Sequence, residues 1–245
     1  MSKRVVVFAA AGLALLVSAS AAHAAFTTAS CLAKKRLAHG KLQQCLATAD
    51  AKILQGKPGD LAKCTTKFEE QLAKLDAKAL KSAIGCRFGD NGETVTDYDT
   101  GLEWEKKNSA GGGAVLTNPH DVDNVYSWSD FTPSPGAPTG TGNRPDGTVF
   151  TRFVPLLNRN SFSPLFINTL CFAGRCDWRL PTRSELQGLL PLDGIFGPTA
   201  AGPYVTSTES SADSTLVWTV DFSTGGVNLA EKELSSFARA VRGGL

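Results

Sequence analysis

Hydrophobic positions between residues 31 and 86 recur at intervals of three, four and seven, the spacing of one face of an amphipathic helix. The same stretch is rich in Ala, Leu, Lys and Gln, which favour helices. Its one interruption, the Gly-Lys-Pro-Gly-Asp run at 56–60, predicts the end of a first helix and a second helix capped by Asp60. The pattern therefore predicts an antiparallel helical hairpin over residues 25–86.

Four cysteines lie on the apolar faces of these helices, so their thiols are expected to face the partner helix. Partners across an antiparallel hairpin have a nearly constant sum of residue numbers, which favours the disulfides Cys31–Cys86 and Cys45–Cys64. The crossed pairing would separate the thiols by roughly tens of ångströms, too far for a bond. A metal site is the alternative, but the spacings contain no Cys-x-x-Cys pair. Cys171 and Cys176 are predicted to close a third, small loop.

In the second half of the chain the pattern changes to short alternating segments separated by Gly, Asn and Asp turns. Strands are expected near residues 94–96, 102–105, 216–222, 227–229 and 237–244. An amphipathic helix is predicted over 149–157, and a capping box of Thr182 and Glu185 predicts the start of another. Residues 108–147, rich in Gly and Pro, predict a long surface loop. Residues 87–245 are thus expected to form an α+β domain with a small twisted antiparallel sheet, two helices and long loops.

Residues 1–24 have the features of a secretory signal peptide: a basic start at Lys3 and Arg4, an apolar run, and the cleavage signal Ala22-His23-Ala24. The apolar run is too short to span a bilayer stably and no other long apolar run follows, so no membrane span is expected. We expect cleavage before Ala25 and export to the periplasm or the extracellular space. Disulfides are the default state of cysteines in those compartments.

Charge is unevenly distributed along the chain. Residues 25–86 carry eleven Lys and Arg against five acids, whereas residues 87–245 carry twelve against eighteen. The total of +2 gives no reason to expect nucleic acid as a partner. One interpretation is a basic hairpin that binds acidic glycans or other polyanionic envelope polymers. The others are a solvated helix surface, which we favour, and charges that dock the two halves of the chain.

Four sequence motifs in the second half occur in the order found in a known family. They are Asp99-Thr-Gly-Leu-Glu-Trp104, Asp177-Trp-Arg-Leu-Pro-Thr182 followed by Glu185-Leu186, Val217-Trp-Thr-Val-Asp-Phe222 and Ala240-Val-Arg-Gly-Gly244. With these motifs, residues 87–245 resemble the Lcl C-terminal domain family. The resemblance implies a C-type-lectin-like fold, akin to that of formylglycine-generating enzymes. The family's founding member is a collagen-like surface adhesin whose terminal domain binds sulphated glycans, but this sequence has no collagen repeat.

An oxidase of the formylglycine-generating type is the enzymatic alternative, because such enzymes hold copper with two cysteines five apart. Cys171 and Cys176 have this spacing, but they precede the Arg242-Gly243-Gly244 segment that the pair follows in those enzymes. His39 and His120 lie near no nucleophile motif and are expected on the surface. The sequence therefore predicts a protein that is not an enzyme, with no catalytic residue, no metal and no cofactor.

Sugar binding is expected to be independent of calcium, because the Glu-Pro-Asn, Gln-Pro-Asp and Trp-Asn-Asp triplets of calcium-dependent lectins are absent. A calcium loop at Asp90 would lack the EF-hand spacing. Aromatic rings that stack on sugars and polar groups that bind hydroxyls or sulphates would supply the contacts. The candidate ligand-binding residues are Tyr126, Trp128, Tyr204, Glu209, Ser210, Asn228 and Lys232.

The other tryptophans, Trp104, Trp178 and Trp218, are expected in the core. The competing functional hypothesis is a structural or protein-interaction module, in which the hairpin docks on another envelope protein and the second domain is a stable frame.

Overall fold

A computed structural model describes residues 26–130, 144–159, 161–163, 166–169, 171–192 and 194–244. The chain is α+β: two long helices are followed by a domain built from two main sheets and short helices. The predicted signal peptide and the Pro- and Gly-rich part of the predicted loop, residues 131–143, lie outside the described residues. Within the described part, no helix is both long and apolar enough to cross a membrane.

The two long helices form the predicted hairpin. Helix α1 runs over Thr28–Leu54 and α2 over Leu61–Lys81, and the Asp60 carboxylate accepts the Lys63 backbone N–H at 2.8 Å as a cap. Ala38, Leu42, Ala49, Phe68 and Leu72 form the small core between them. This core is too small to hold a two-helix unit securely by itself, which gives cross-links a structural purpose.

All three predicted disulfides are confirmed. Cys31–Cys86 and Cys45–Cys64 join the helical pair, and Cys171–Cys176 closes a small loop in the second domain. No described cysteine is free. This pattern is compatible with an exported protein.

Eleven strands lie in the described residues of the second domain. Their bounds are β1 Phe88–Asp90, β2 Thr94–Asp97, β3 Leu102–Glu105, β4 Val125–Tyr126, β5 Ser161–Ser163, β6 Phe166–Thr169, β7 Pro203–Glu209, β8 Leu216–Asp221, β9 Val227–Glu231, β10 Ser236–Phe237 and β11 Val241–Gly243. The first main sheet has the order β1-β2-β3-β11 and the second the order β4-β10-β7-β8-β9, while β5 and β6 pair separately.

The prediction of one small antiparallel sheet is wrong in two respects. The strands divide between two main sheets, and β10 pairs with β7 in parallel. The division arises because the chain crosses between the sheets after β10. β10 lies in the second sheet, whereas β11 pairs with β3 in the first and places Val241 opposite Trp104. The first sheet thus joins strands from both ends of the domain.

Short helices complete the domain. A wide helical turn over Val149–Phe153 continues into α3, Val154–Leu157, as the amphipathic pattern predicted. Helix α4 covers Arg183–Gln187, with the predicted capping box between Thr182 and Glu185. Single 3₁₀ turns lie at Phe172–Gly174 and Gly194–Phe196.

Two hydrophobic clusters pack against the second sheet. Successive residues of a strand point to opposite faces, so Val217 and Val220 of β8 join different clusters. One cluster contains Trp178, and the other contains Trp104, which confirms their predicted core positions. Trp218 is only half-buried, with the guanidinium carbon of Arg183 4.5 Å from its ring centroid, so the core prediction for Trp218 is not met.

The hairpin docks on the turn between β2 and β3. Arg36 Nε donates to the Tyr98 hydroxyl at 3.1 Å, and His39 Nε2 lies 2.7 Å from the Tyr98 carbonyl oxygen. The fully buried ammonium of Lys35 pairs with Asp76 of α2 and with Asp99 of the turn. The prediction of His39 as a surface residue is therefore wrong, because this histidine is half-buried in the contact between the hairpin and the second domain.

Candidate functional site

The three aromatic residues predicted to bind sugar lie in the core. Tyr126, Trp128 and Tyr204 are only 1%, 3% and 1% exposed, so none offers a ring face to a ligand. The Tyr126 ring lies 5.0 Å from that of Phe153, and the Trp128 ring 5.1 Å from that of Phe150. In this fold they stabilise the domain rather than contact a ligand.

Two of the polar candidates form a clamp with Trp128. The ammonium of Lys232 lies 2.6 Å from a carboxylate oxygen of Glu209 and 4.2 Å from the centre of the Trp128 ring. The Lys232 side chain is 1% exposed, whereas that of Glu209 is 51% exposed. The clamp ties the residue directly after β9 to the end of β7 and to the loop after β4.

The remaining two candidates do not join the clamp. The Ser210 hydroxyl accepts the backbone N–H groups of Ala212 and Asp213 and so stabilises the turn between β7 and β8. Asn228 is exposed on β9, in register with Thr219. The sequence-predicted residues therefore do not come together as one concave site.

A groove that the sequence did not predict opens at the other end of β8. Residues 190–192 and 194–201 form one wall and the β8–β9 turn at 222–225 the other, and the space between them is about 640 Å³. We call it the Phe222 groove, since Phe222 contributes its aromatic side chain. Leu190, Pro191 and Leu192 supply further apolar surface, and the hydroxyl-bearing lining residues are Thr199, Ser223 and Thr224.

The described lining of the Phe222 groove contains no His, Cys, Lys, Arg, Asp or Glu. The neighbouring Asp221 uses a carboxylate oxygen to accept the backbone N–H and the hydroxyl of Ser223, at 2.8 Å and 2.6 Å. These hydrogen bonds hold the turn that forms one wall, and they lower the pKa of Asp221. The groove thus presents apolar surface and hydroxyl groups, which suit an uncharged polar ligand better than acid–base chemistry.

A second, charged pocket of about 540 Å³ lies beside α4 and β11. Arg179 forms two hydrogen bonds with Glu185, at 2.7 Å and 2.8 Å, and these bonds raise the pKa of the Arg179 guanidinium. Arg87 binds Asp97 in a similar way at 2.7 Å and 3.2 Å. Both guanidinium groups are therefore neutralised within the protein. The Trp-Arg-Leu-Pro-Thr motif, which contains Arg179, holds the start of α4.

Comparison with known families decides what the second domain is. A family model described as the Lcl C-terminal domain matches residues 93–242, which is more than half of the chain. The chain belongs to the Lcl C-terminal domain family. This membership, which the sequence motifs predicted, fits an envelope-associated protein. No curated protein matches the chain.

The matched Lcl C-terminal domain begins just before β2 and ends within β11. It includes both walls of the Phe222 groove and most of the charged pocket. The hairpin lies outside it.

The Lcl C-terminal domain also contains a buried cluster of charged residues around Glu105. A carboxylate oxygen of Glu105 lies 2.9 Å from Lys107 Nζ and 2.8 Å from His120 Nδ1, and its other oxygen accepts the Ala240 N–H. Burial alone would raise the pKa of Glu105, but the Lys107 charge and the His120 hydrogen bond outweigh it and lower this pKa. Burial lowers the pKa of Lys107.

This cluster connects β3 to the segment before β11 and to the loop at 118–121. Glu105 is completely buried, and neither it nor His120 lines the cavities described above. His120 is 20% exposed and its ring lies 4.1 Å from that of Phe172, so the prediction of a surface histidine is wrong here too. The arrangement supports a structural role.

The Cys171–Cys176 loop acts on the same region. It carries Phe172, whose ring lies 4.9 Å from that of Trp178 and whose carbonyl accepts the Trp178 indole N–H at 3.0 Å. These contacts hold Trp178 against the core.

Proposed function

We propose that the chain is an exported, non-enzymatic protein of the cell envelope that binds glycans in the Phe222 groove without calcium, on a C-type-lectin-like fold. The observation that carries the proposal is the composition of the groove. Its described lining combines an aromatic side chain with several hydroxyl groups and contains no titratable side chain.

Sugars present both apolar C–H faces and many hydroxyl groups, so their binding sites combine apolar surface with neutral polar groups. Phe222 is half-buried, and the aliphatic side chains of Leu190 and Pro191 lie in the opposite wall. The volume of about 640 Å³ lies within the range of small-molecule sites, so a short stretch of a glycan would fit.

Calcium independence is supported by the lining of the groove. Calcium sites need six to eight oxygen ligands, usually including several carboxylates. The described lining offers no carboxylate, and the nearby Asp221 already accepts hydrogen bonds within its own turn.

A glycan array probed with the mature chain, with and without chelator, tests the proposal. The variant Ala201→Trp places a large side chain at an exposed position of the groove. Its matched control is Ala212→Trp, which is also exposed but lies in the β7–β8 turn. The six residues of β8 separate this turn from the groove by about 20 Å.

The expected result is binding that survives chelator, falls at least tenfold with Ala201→Trp and stays within twofold with Ala212→Trp. A blank array, or hits that vanish with chelator, would overturn the proposal. Equal losses with both variants would move the binding away from the Phe222 groove and would overturn its assignment.

A further inference from the structure

The hairpin carries a second concave surface, outside the Lcl C-terminal domain. A groove of about 520 Å³ runs between α1 and α2, and we call it the lysine groove. Four exposed lysines line it: Lys41, Lys52, Lys63 and Lys67. None of the four forms an ion pair with a described residue, whereas Lys35 of the same hairpin is doubly paired. The lysine groove is therefore strongly positive.

The helix geometry places these lysines in two rows. Lys41 and Lys52 are eleven residues apart, close to three helical turns, so both point from the same side of α1. Lys63 and Lys67 are four residues apart and share one side of α2. The two rows face each other across the groove, which spans about 16 Å along α1.

Cross-links and close packing hold the rows in position. The disulfide between Cys45 and Cys64 joins the two helices beside the groove. At the closed end, a Cβ on Gly59 would lie 2.3 Å from the Ala49 carbonyl oxygen, so only glycine permits this approach of the loop to α1. The two helix backbones that carry the lysines are thus fixed in their relative position before any ligand arrives, which lowers the entropy cost of binding.

The groove contains one acidic residue, Asp60, which accepts the Lys63 backbone N–H as the cap of α2. Its single negative charge lies at the start of α2, near Lys63, so four ammonium groups against one carboxylate leave the groove with an excess of positive charge.

We infer that the lysine groove binds a linear acidic polysaccharide, one whose sulphate or carboxylate groups repeat along the chain. The groove is too long for a single small anion and has charges along both sides, so a polymer makes the most use of it. Ammonium groups act as point charges and recognise charge density rather than the planar geometry that arginine selects. The described lining contains no aromatic residue on which bases could stack, which argues against single-stranded nucleic acid.

Binding of a fluorescent heparin fragment to the full mature chain tests the inference. A carboxylated polysaccharide without sulphate identifies the preferred acidic group, with neutral dextran and single-stranded DNA as comparison ligands. The test variant is the triple substitution Lys52→Gln, Lys63→Gln and Lys67→Gln. Its matched control removes the same charge from the same hairpin at exposed lysines outside the groove: Lys34→Gln, Lys74→Gln and Lys81→Gln.

We expect the test triple to weaken heparin binding at least tenfold at low salt and the control triple to change it less than twofold. The slope of log affinity against log salt should become shallower by about 2 in the test triple. Three charges are removed, and each released counterion contributes about 0.7–0.9 to this slope for nucleic acids. Equal losses in both triples would reduce the effect to net charge and overturn the inference. Preference for the DNA over every polysaccharide, or binding that is insensitive to salt, would overturn it as well.

The outcome is separable from that of the proposed function. Ala201→Trp changes the Phe222 groove and should leave heparin binding intact, while the lysine triple should leave any neutral-glycan binding intact. Each site can therefore fail without the other.

Discussion

The buried ammonium of Lys35 makes the attachment of the hairpin to the Lcl C-terminal domain testable. Lys35 is completely buried, whereas its partners Asp76 and Asp99 are 47% and 38% exposed. Removing the lysine and removing the carboxylates should therefore have different costs. Without Lys35, the carboxylates of Asp76 and Asp99 can be hydrated where they are. Without the carboxylates, the buried Lys35 ammonium cannot be hydrated.

Two variants exploit this difference. In Asp76→Asn with Asp99→Asn, the Lys35 charge stays buried with only neutral acceptors, and we expect a loss of about 3 kcal/mol in the free energy of unfolding. In Lys35→Met the apolar stem is kept and both carboxylates become hydrated, so a loss of about 1 kcal/mol or less is expected. Asp50→Asn, which removes an exposed charge from α1, is the control and should have almost no effect.

Urea unfolding measures these values with two probes. All four tryptophans lie in the second domain, so their fluorescence reports on it, while far-ultraviolet circular dichroism is dominated by α1 and α2. If Lys35→Met proved as damaging as the double Asn variant, or more so, the argument from unequal burial would be refuted. If only the circular dichroism transition moved, the contact would stabilise the hairpin alone rather than its attachment.

Three further predictions concern stability. Replacing the Cys31–Cys86 pair by alanines should lower the free energy of unfolding by about 4 kcal/mol, and replacing Cys45–Cys64 should lower it by about 3 kcal/mol, because the first disulfide closes the longer loop. Denaturant titration of both variants measures the two losses, and a larger loss for Cys45–Cys64 would contradict the prediction. Burial alone would raise the pKa of Glu185, but the hydrogen bonds from Arg179 and Thr182 together with the Arg179 charge outweigh it and lower this pKa. The stability that Glu185 contributes is therefore present above its unfolded pKa of about 4.5 and is lost as the pH falls through the folded value. Melting temperatures between about pH 6 and pH 3 should fall less steeply in Glu185→Gln than in the wild type, and parallel curves would contradict this. Gly147→Ala should destabilise the fold by about 1–3 kcal/mol, because a Cβ there would lie 2.5 Å from a backbone carbonyl oxygen. Gly194→Ala is the control and should not destabilise the fold, because a Cβ at that position meets open space; chemical denaturation compares the two variants.

The hairpin was predictable because its signals are local. The break at 56–60, the cap at Asp60 and the apolar stripe each depend on residues a few positions apart, and the antiparallel arrangement then limits the cysteine pairing. The capping box of Thr182 and Glu185 was predictable for the same reason.

The sheet arrangement and the ligand site depend on distant partners. Nothing local to Val241 indicates that it pairs with Trp104, and this pairing is what divides the strands between two sheets. Tyr204 follows a loop in the sequence, yet Phe222 and Phe237 cover its ring at 4.9 Å and 5.4 Å. Lysine is almost never fully buried unless its charge is paired. The burial of Lys232 could therefore not be predicted without knowing that Glu209 and Trp128 lie next to it in the fold.

The Phe222 groove was missed for a related reason. Its walls come from segments about thirty residues apart, and neither wall has a recognisable ligand motif. The one available signal was the position of Phe222 directly after the alternating β8 strand, where an aromatic side chain is followed by Ser and Thr instead of another strand residue.

The firm seating of the hairpin has a geometric consequence for recognition. Only Arg87 separates Cys86 and its disulfide from β1, and Tyr98 forms hydrogen bonds with Arg36 and His39 of α1. No flexible linker therefore joins the hairpin to the Lcl C-terminal domain. With 27 residues, helix α1 is about 40 Å long. The surfaces of the hairpin and of the Lcl C-terminal domain are thus held at one fixed separation. If one polymer bound both the lysine groove and the Phe222 groove, its repeat would have to match that separation, and inserting one helical turn would change it by about 5 Å.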